Sequence, residues 1–106
     1  MKPKIESYLG FAKKSGNIVE GSYSCEASIK KKKIQLIILA EDLGNNSKEK
    51  MEELCGKNDI EILIYSTKES IGKLLGKKET GIIGIKDTNF AKMIRTEIEK
   101  ERDCKI

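Results

Sequence analysis

Histidine is absent from the sequence, tryptophan is absent, and proline occurs once, at Pro3. The first absence removes the commonest general base, the Ser-His and Cys-His nucleophile pairs and the commonest metal ligand together. Lys, Asp or Glu remain for catalysis, so an enzyme is disfavoured and no metal or cofactor is expected. Cysteine is sparse: Cys25, Cys55 and Cys104 are an odd, widely spaced set. They offer no disulfide framework and no Cys-x-x-Cys metal pair, and they fit a reducing compartment. The simplest reading buries two thiols on helix faces and leaves the third in a frayed tail. Long apolar runs are also lacking. The longest is LIILA, Leu36 to Ala40, far too short to cross a bilayer. The opening MKPKIESYLG lacks the apolar stretch of a signal peptide. These features lead to the expectation of a cytoplasmic protein with no membrane partner.

Charge, by contrast, is abundant. Charged residues make up 36% of the chain, with 21 Lys and Arg against 17 Asp and Glu, for a net charge of +4. That surplus permits a nucleic-acid partner without establishing one. A chain of 106 residues reads as one domain over residues 1–106, able to bury its apolar surface without staples.

The periodic segments alternate. Ile5, Leu9 and Ala12, with Tyr8 and Phe11 beside them, have helical spacing, and KKSGN stops that helix with Gly16 as a left-handed cap. NIV is a short strand, and Ser22 to Lys32 is a helix with Cys25 and Ile29 inward. IQLIILA, Ile34 to Ala40, reads as a strand buried on both faces. Asn46 and Glu49 suggest a capping box for a helix carrying Met51, Leu54 and Cys55 and ending at Gly56. IEILIY is the third strand, Ser66 and Glu69 suggest the next box, and Ile71, Leu74 and Leu75 form a stripe closed by Gly76. In GIIGIK the glycines imply close approach of another backbone or helix. Asp87 or Thr88 caps a last helix with Phe90, Ala91, Ile94 and Ile98 inward, fraying from about residue 99. The order α-β-α-β-α-β-α-β-α predicts a three-layer α/β/α sandwich around a four-stranded mixed sheet.

Few motifs carry chemistry. GKLLGKK, Gly72 to Lys78, has three residues between its glycines where a phosphate loop needs four, and it closes a helix instead of opening one. Glu41 and Asp42 sit after the second strand, where open α/β sheets keep their sites, but no third ligand accompanies them. They read as a solvated turn that caps the next element. The run Lys30 to Lys33 can complement a helix dipole. It can also converge with Lys13, Lys14, Lys48, Lys50, Lys68, Lys77 and Lys78 on phosphates. Tyr23 offers a flat ring at a helix start, suited to stacking on an unpaired base.

The segments LGFAKKSGNIVEGSYSCEASI, LIILAEDLGNNSKEKMEELC, YSTKESIGKLLGK and IKDTNFAKMI, from about Tyr8 to Ile94, resemble the kink-turn-binding ribosomal protein family typified by archaeal L-seven-Ae, in its bacterial YlxQ-type branch. The resemblance implies the same three-layer sandwich, no catalysis, and recognition of a sharply bent structured RNA in a ribosome- or transcription-associated setting, with no DNA partner. It places RNA against Gly21, Ser22, Tyr23 and Ser24 at the second helix start, and against Lys77, Lys78, Glu79 and Thr80 before the last strand. Lys68 matches a family lysine, and Lys30 and Lys31 join as phosphate contacts. Where strong kink-turn binders carry Asn, Glu and Lys, this chain has Tyr23, Ser24 and Ala27. Those departures motivate the alternative of a protein-interaction module on the same fold with weak or lost RNA binding. The geometric expectation is a single cationic ledge joining Gly21 to the turn after Gly76.

Overall fold

The computed structural model describes residues 1–103. Nine elements follow in the expected order: α1 (Pro3–Lys14), β1 (Ile18–Glu20), α2 (Ser22–Lys30), β2 (Leu36–Leu39), α3 (Asn45–Lys57), β3 (Glu61–Ile64), α4 (Lys68–Leu74), β4 (Ile82–Ile85) and α5 (Thr88–Asp103). The last helix therefore continues past residue 99, and Cys104 lies outside the described residues. No described helix is long and apolar enough to cross a membrane.

The sheet order is β1-β4-β2-β3. β2 and β3 are parallel, and β4 is antiparallel to both β1 and β2. It follows that β1, β2 and β3 all end at one pole of the sheet, where β4 begins. Side chains alternate across a strand, so β2 feeds two cores. Leu36 and Ile38 join Ile83 and Ile85 beneath Ile5 and Leu9 of α1, Ile71 of α4, and Ala91, Ile94 and Ile98 of α5. Ile37 and Leu39 join Ile82 beneath Cys25 and Ile29 of α2 and Met51 and Cys55 of α3. Those two layers of helices give the α/β/α sandwich.

Gly84, the one glycine of β4, is approached closely by side chains, one of them from helix α2. A Cβ at Gly84 would lie 2.8 Å from Ile34 Cδ1 and 3.5 Å from Cys25 Sγ of α2, so the bare strand backbone leaves the room that Ile34 fills. Four local expectations are corrected. Phe11 is 59% exposed while Tyr8 packs against the core. α3 starts after Gly44 with no side-chain cap and runs past Gly56 to Lys57, so Asn46 and Glu49 form no box. The cap of α4 is Thr67, whose hydroxyl accepts from the Ser70 N–H at 3.2 Å. Ser66, one residue earlier, has φ +63° and lies outside the helix. Asp42 does cap, but across the fold: its Oδ1 accepts from the Lys68 N–H at 2.9 Å. At the last helix it is Asp87 that caps, through Oδ2 to the Phe90 N–H at 2.9 Å.

Candidate nucleic-acid interface

The strand ends are laced together by backbone bonds. Gly21 N–H donates to the Ile82 carbonyl at 2.9 Å, Ala40 N–H to Gly81 at 2.9 Å, and Glu41 N–H to Ser66 at 2.8 Å. Thr80 N–H donates to Lys68 at 3.0 Å. These bonds bring the start of α2 beside the segment Lys77 to Gly81, as the sequence anticipated.

Gly21 has φ +87° and ψ 160°, a region that glycine alone occupies at low cost. It caps α2 without a side-chain hydrogen bond. The amides of the first turn, at Ser22, Tyr23 and Ser24, have no partner inside the helix. They present the positive end of its dipole to an incoming acceptor. All three side chains are exposed, and Tyr23 is 85% exposed, the most open large apolar side chain among the described residues.

The facing segment rests on α4. A Cβ at Gly72 would stand 2.7 Å from Glu79 Cα and 2.9 Å from both Glu79 N and the Lys78 oxygen. The chain after Gly76 therefore doubles back against bare helix backbone. Glu20, Gly21, Lys77, Glu79, Thr80 and Gly81 line the resulting cleft of about 210 Å³. Lys68 lies over Gly81, its Cγ 3.4 Å from where a Cβ would be. Lys77, Lys78 and Glu79 are exposed, whereas Thr80 is only 7% exposed. Its backbone anchors the loop to Lys68, and its side chain is not offered to a ligand.

Two expectations change here. The ledge is mixed in sign, because Glu20, its side chain 17% exposed, sits between the two segments. It takes Lys13 at 2.8 Å and Lys77 at 3.6 Å, and Lys13 also donates to the Leu75 carbonyl. Lys68 and Lys78 are left on the ledge without an ion pair among the described residues. Secondly, Lys30 and Lys31 are not brought here. They end α2, whose nine residues span about 13 Å at 1.5 Å per residue. They belong to the opposite pole, where β2 begins. The sequence reading overlooked Glu20 and Gly72. A glycine between Ile71 and Lys73 in the middle of a helical stripe was the available sign of close backbone approach.

Beneath the first turn of α2, the Cys25 thiol points at the Val19 carbonyl, 3.5 Å away. Burial, helped by Cys55 and the carboxylates of Glu20 and Glu26, pushes its pKa up to about 12. Burial likewise pushes Cys55 up to about 11. Both are core thiols, protonated and unreactive near neutral pH.

Comparison with known proteins agrees with this architecture. A solved structure of a Bacillus halodurans protein of unknown function superposes with a TM-score of 0.88 at 26% identity, covering 92% of this chain and 99% of that one. An Enterococcus faecium protein named RNA-binding protein YlxQ is 24% identical over 98 residues, 92% of this chain and 94% of that protein. The Bacillus subtilis protein of the same name is 23% identical over 83 residues, 78% of this chain and 83% of that protein. Residues 3–95 match the model of the ribosomal protein L7Ae/L30e/S12e/Gadd45 family, and with nearly the whole chain covered, this protein belongs to that family.

Proposed function

We propose that this chain is a non-enzymatic RNA-binding protein, ribosome- or transcription-associated, that clamps a bent or internally looped, kink-turn-like RNA on the ledge. In this reading the free amides of Ser22 to Ser24 donate to phosphate oxygens or base-edge acceptors, and Tyr23 stacks on a splayed base. Lys68 and Lys78 neutralise phosphates, and Lys77 does so once it parts from Glu20. The observation that carries the reading is the Gly21 to Ile82 hydrogen bond, beside which a helix start with no side-chain cap and the Lys77 to Gly81 loop lie together. Family membership and the names of the two relatives support RNA as the ligand.

The test compares internally looped RNAs, kink-turns included, with a plain duplex of equal length over a salt series. Looped RNA should bind more tightly. Tyr23→Ala should cost about 5- to 160-fold, the range of one base–aromatic stack. Lys78→Ala should reduce the log–log salt slope by about 0.7–0.9, one phosphate contact. Equal binding of looped RNA and duplex at low salt contradicts the reading. Partners that survive nuclease treatment while no RNA binds would favour the protein-interaction alternative, which the departures at Tyr23, Ser24 and Ala27 motivate and to which Glu20 in the ledge adds.

A further inference from the structure

Helices α1 to α4 stop in the same way. The residue two beyond the last helical one has a left-handed φ, and the N–H after it reaches back to the helix. Asn17 donates to Ala12 at 2.8 Å, Lys33 to Ser28 at 3.0 Å, Ile60 to Cys55 at 3.0 Å and Lys77 to Gly72 at 2.7 Å. The left-handed residues are Gly16 (φ +76°), Lys32 (φ +58°), Asp59 (φ +54°) and Gly76 (φ +75°). Glycine is the ordinary occupant of that position, and Asp tolerates it through local hydrogen bonding. Lysine has no such relief. α2 thus carries a cation where its own backbone favours glycine.

Lys32 is not isolated. Lys30, Lys31, Lys32 and Lys33 are all exposed, and none forms an ion pair among the described residues. Gln35 N–H donates to Ile85 and Lys86 N–H to Asn17, at 2.8 Å each. Those bonds set the exposed Lys14 and Lys86, also without ion pairs among the described residues, at the same pole. Of the acidic groups nearest the run, Glu26 is held by Lys50 at 3.1 Å and Glu53 by Lys57 at 3.3 Å. Asp59 shares a cleft with Lys32, Gln35 and Lys57 but lies beyond ion-pair distance of Lys32. Among the described residues, six lysines without an ion pair therefore lie at this pole with Asp59 and Asp87 near them, against Lys68 and Lys78 on the ledge.

We infer that this pole is a second, separate surface for an RNA phosphate backbone, so that one chain bridges two RNA segments. The inference relies on the proposed function for the class of polyanion and goes beyond it in assigning a second contact surface. Of the two amide side chains in the Lys32 cleft, Asn58 already donates to the Leu54 carbonyl at 2.8 Å and only Gln35 is open to a base edge, so recognition there is chiefly of backbone charge, tolerant of sequence and steep in salt.

The experiment immobilises an internally looped RNA, saturates it with protein, and measures capture of a labelled plain RNA duplex. Wild-type protein should capture the duplex. The variant Lys30→Ser, Lys31→Ser, Lys32→Gly, Lys33→Ser should keep looped-RNA binding within about two-fold, lose capture, and lower the duplex salt slope by about 3. Lys32→Gly alone separates charge from folding. It should raise the melting temperature by about 2–6 °C while weakening duplex binding about two- to five-fold. Capture unchanged in the four-site variant overturns the inference, as does capture that depends on Tyr23 and Lys78 instead, or retention of an acidic protein in place of RNA. If looped RNA fails to bind in solution while duplex binding still depends on the lysine run, the ledge reading falls and the second surface stands. If looped RNA binds and no duplex is captured, the reverse holds.

Discussion

Replacing Gly72 by alanine tests the foundation of the ledge. In a helix interior that exchange normally helps, by about 1 kcal/mol, because alanine has the better propensity. Gly10, inside α1 with nothing within 4 Å of a Cβ, illustrates the ordinary case. At Gly72 the added carbon would stand 2.7 to 2.9 Å from three backbone atoms of Lys78 and Glu79. Backbone cannot turn aside as a side-chain tip can. Overpacking of this kind costs typically about 1–3 kcal/mol, and three simultaneous contacts put it near the upper end. After the propensity gain, Gly72→Ala should destabilise by about 2 kcal/mol, a fall of about 8–16 °C in melting temperature for a chain of this size. Gly10→Ala should rise by about 4–8 °C. Thermal unfolding followed by circular dichroism reads both. Should Gly72→Ala stabilise as Gly10→Ala does, the Lys77 to Thr80 segment does not rest on α4, and half of the proposed interface is misplaced.

Other outcomes follow from single features. Gly21→Ala meets no steric contact, so beyond the N-cap penalty it shares with Gly44→Ala its cost of about 1–3 kcal/mol comes from φ +87°; urea unfolding should show Gly21→Ala to be clearly the more destabilised of the two. Thr67→Ala should lose about 1 kcal/mol of cap energy while Ser66→Ala loses none, since only Thr67 accepts from Ser70. Cys25 and Cys55 should resist a thiol reagent at pH 8 in the native state and react on unfolding. The sign of their pH effect is definite: above the ordinary thiol value of 9.0 the unfolded state releases protons that the folded thiols keep up to about 12 and about 11. Stability from these groups is complete below pH 9 and declines as pH rises from 9 to about 11 for Cys55 and about 12 for Cys25, which denaturation midpoints across that range will show.

What could be read from residues alone was whatever depends on near neighbours. The periodicity of Ile5, Leu9 and Ala12, the apolar run of β2 and the glycine stops at Gly16 and Gly76 each carry their structure in a few adjacent positions. Cap assignment slipped where two patterns overlapped: Ser66 with Glu69 and Thr67 with Ser70 compete over one turn. The left-handed φ of Ser66, set by how β3 hands over to α4, decides between them. Long-range relations were not legible. Asp42 finds Lys68 across 26 residues, and Glu20 gathers Lys13 and Lys77 from α1 and the loop after α4. The lysine run was legible as charge, but its pole was not. Its distance from Gly21 follows from the direction of α2, which carries Lys30 to the opposite end of the sheet.

Amide chemical-shift mapping during titration with an internally looped RNA shows whether Gly21 to Ser24 and Lys77 to Gly81 act as one RNA-contacting ledge. The amides of Ser22, Tyr23 and Ser24 should shift together with those of Lys77 to Gly81, saturating at one concentration. Shifts at neither segment, or at one while the other stays unmoved at saturation, would contradict it.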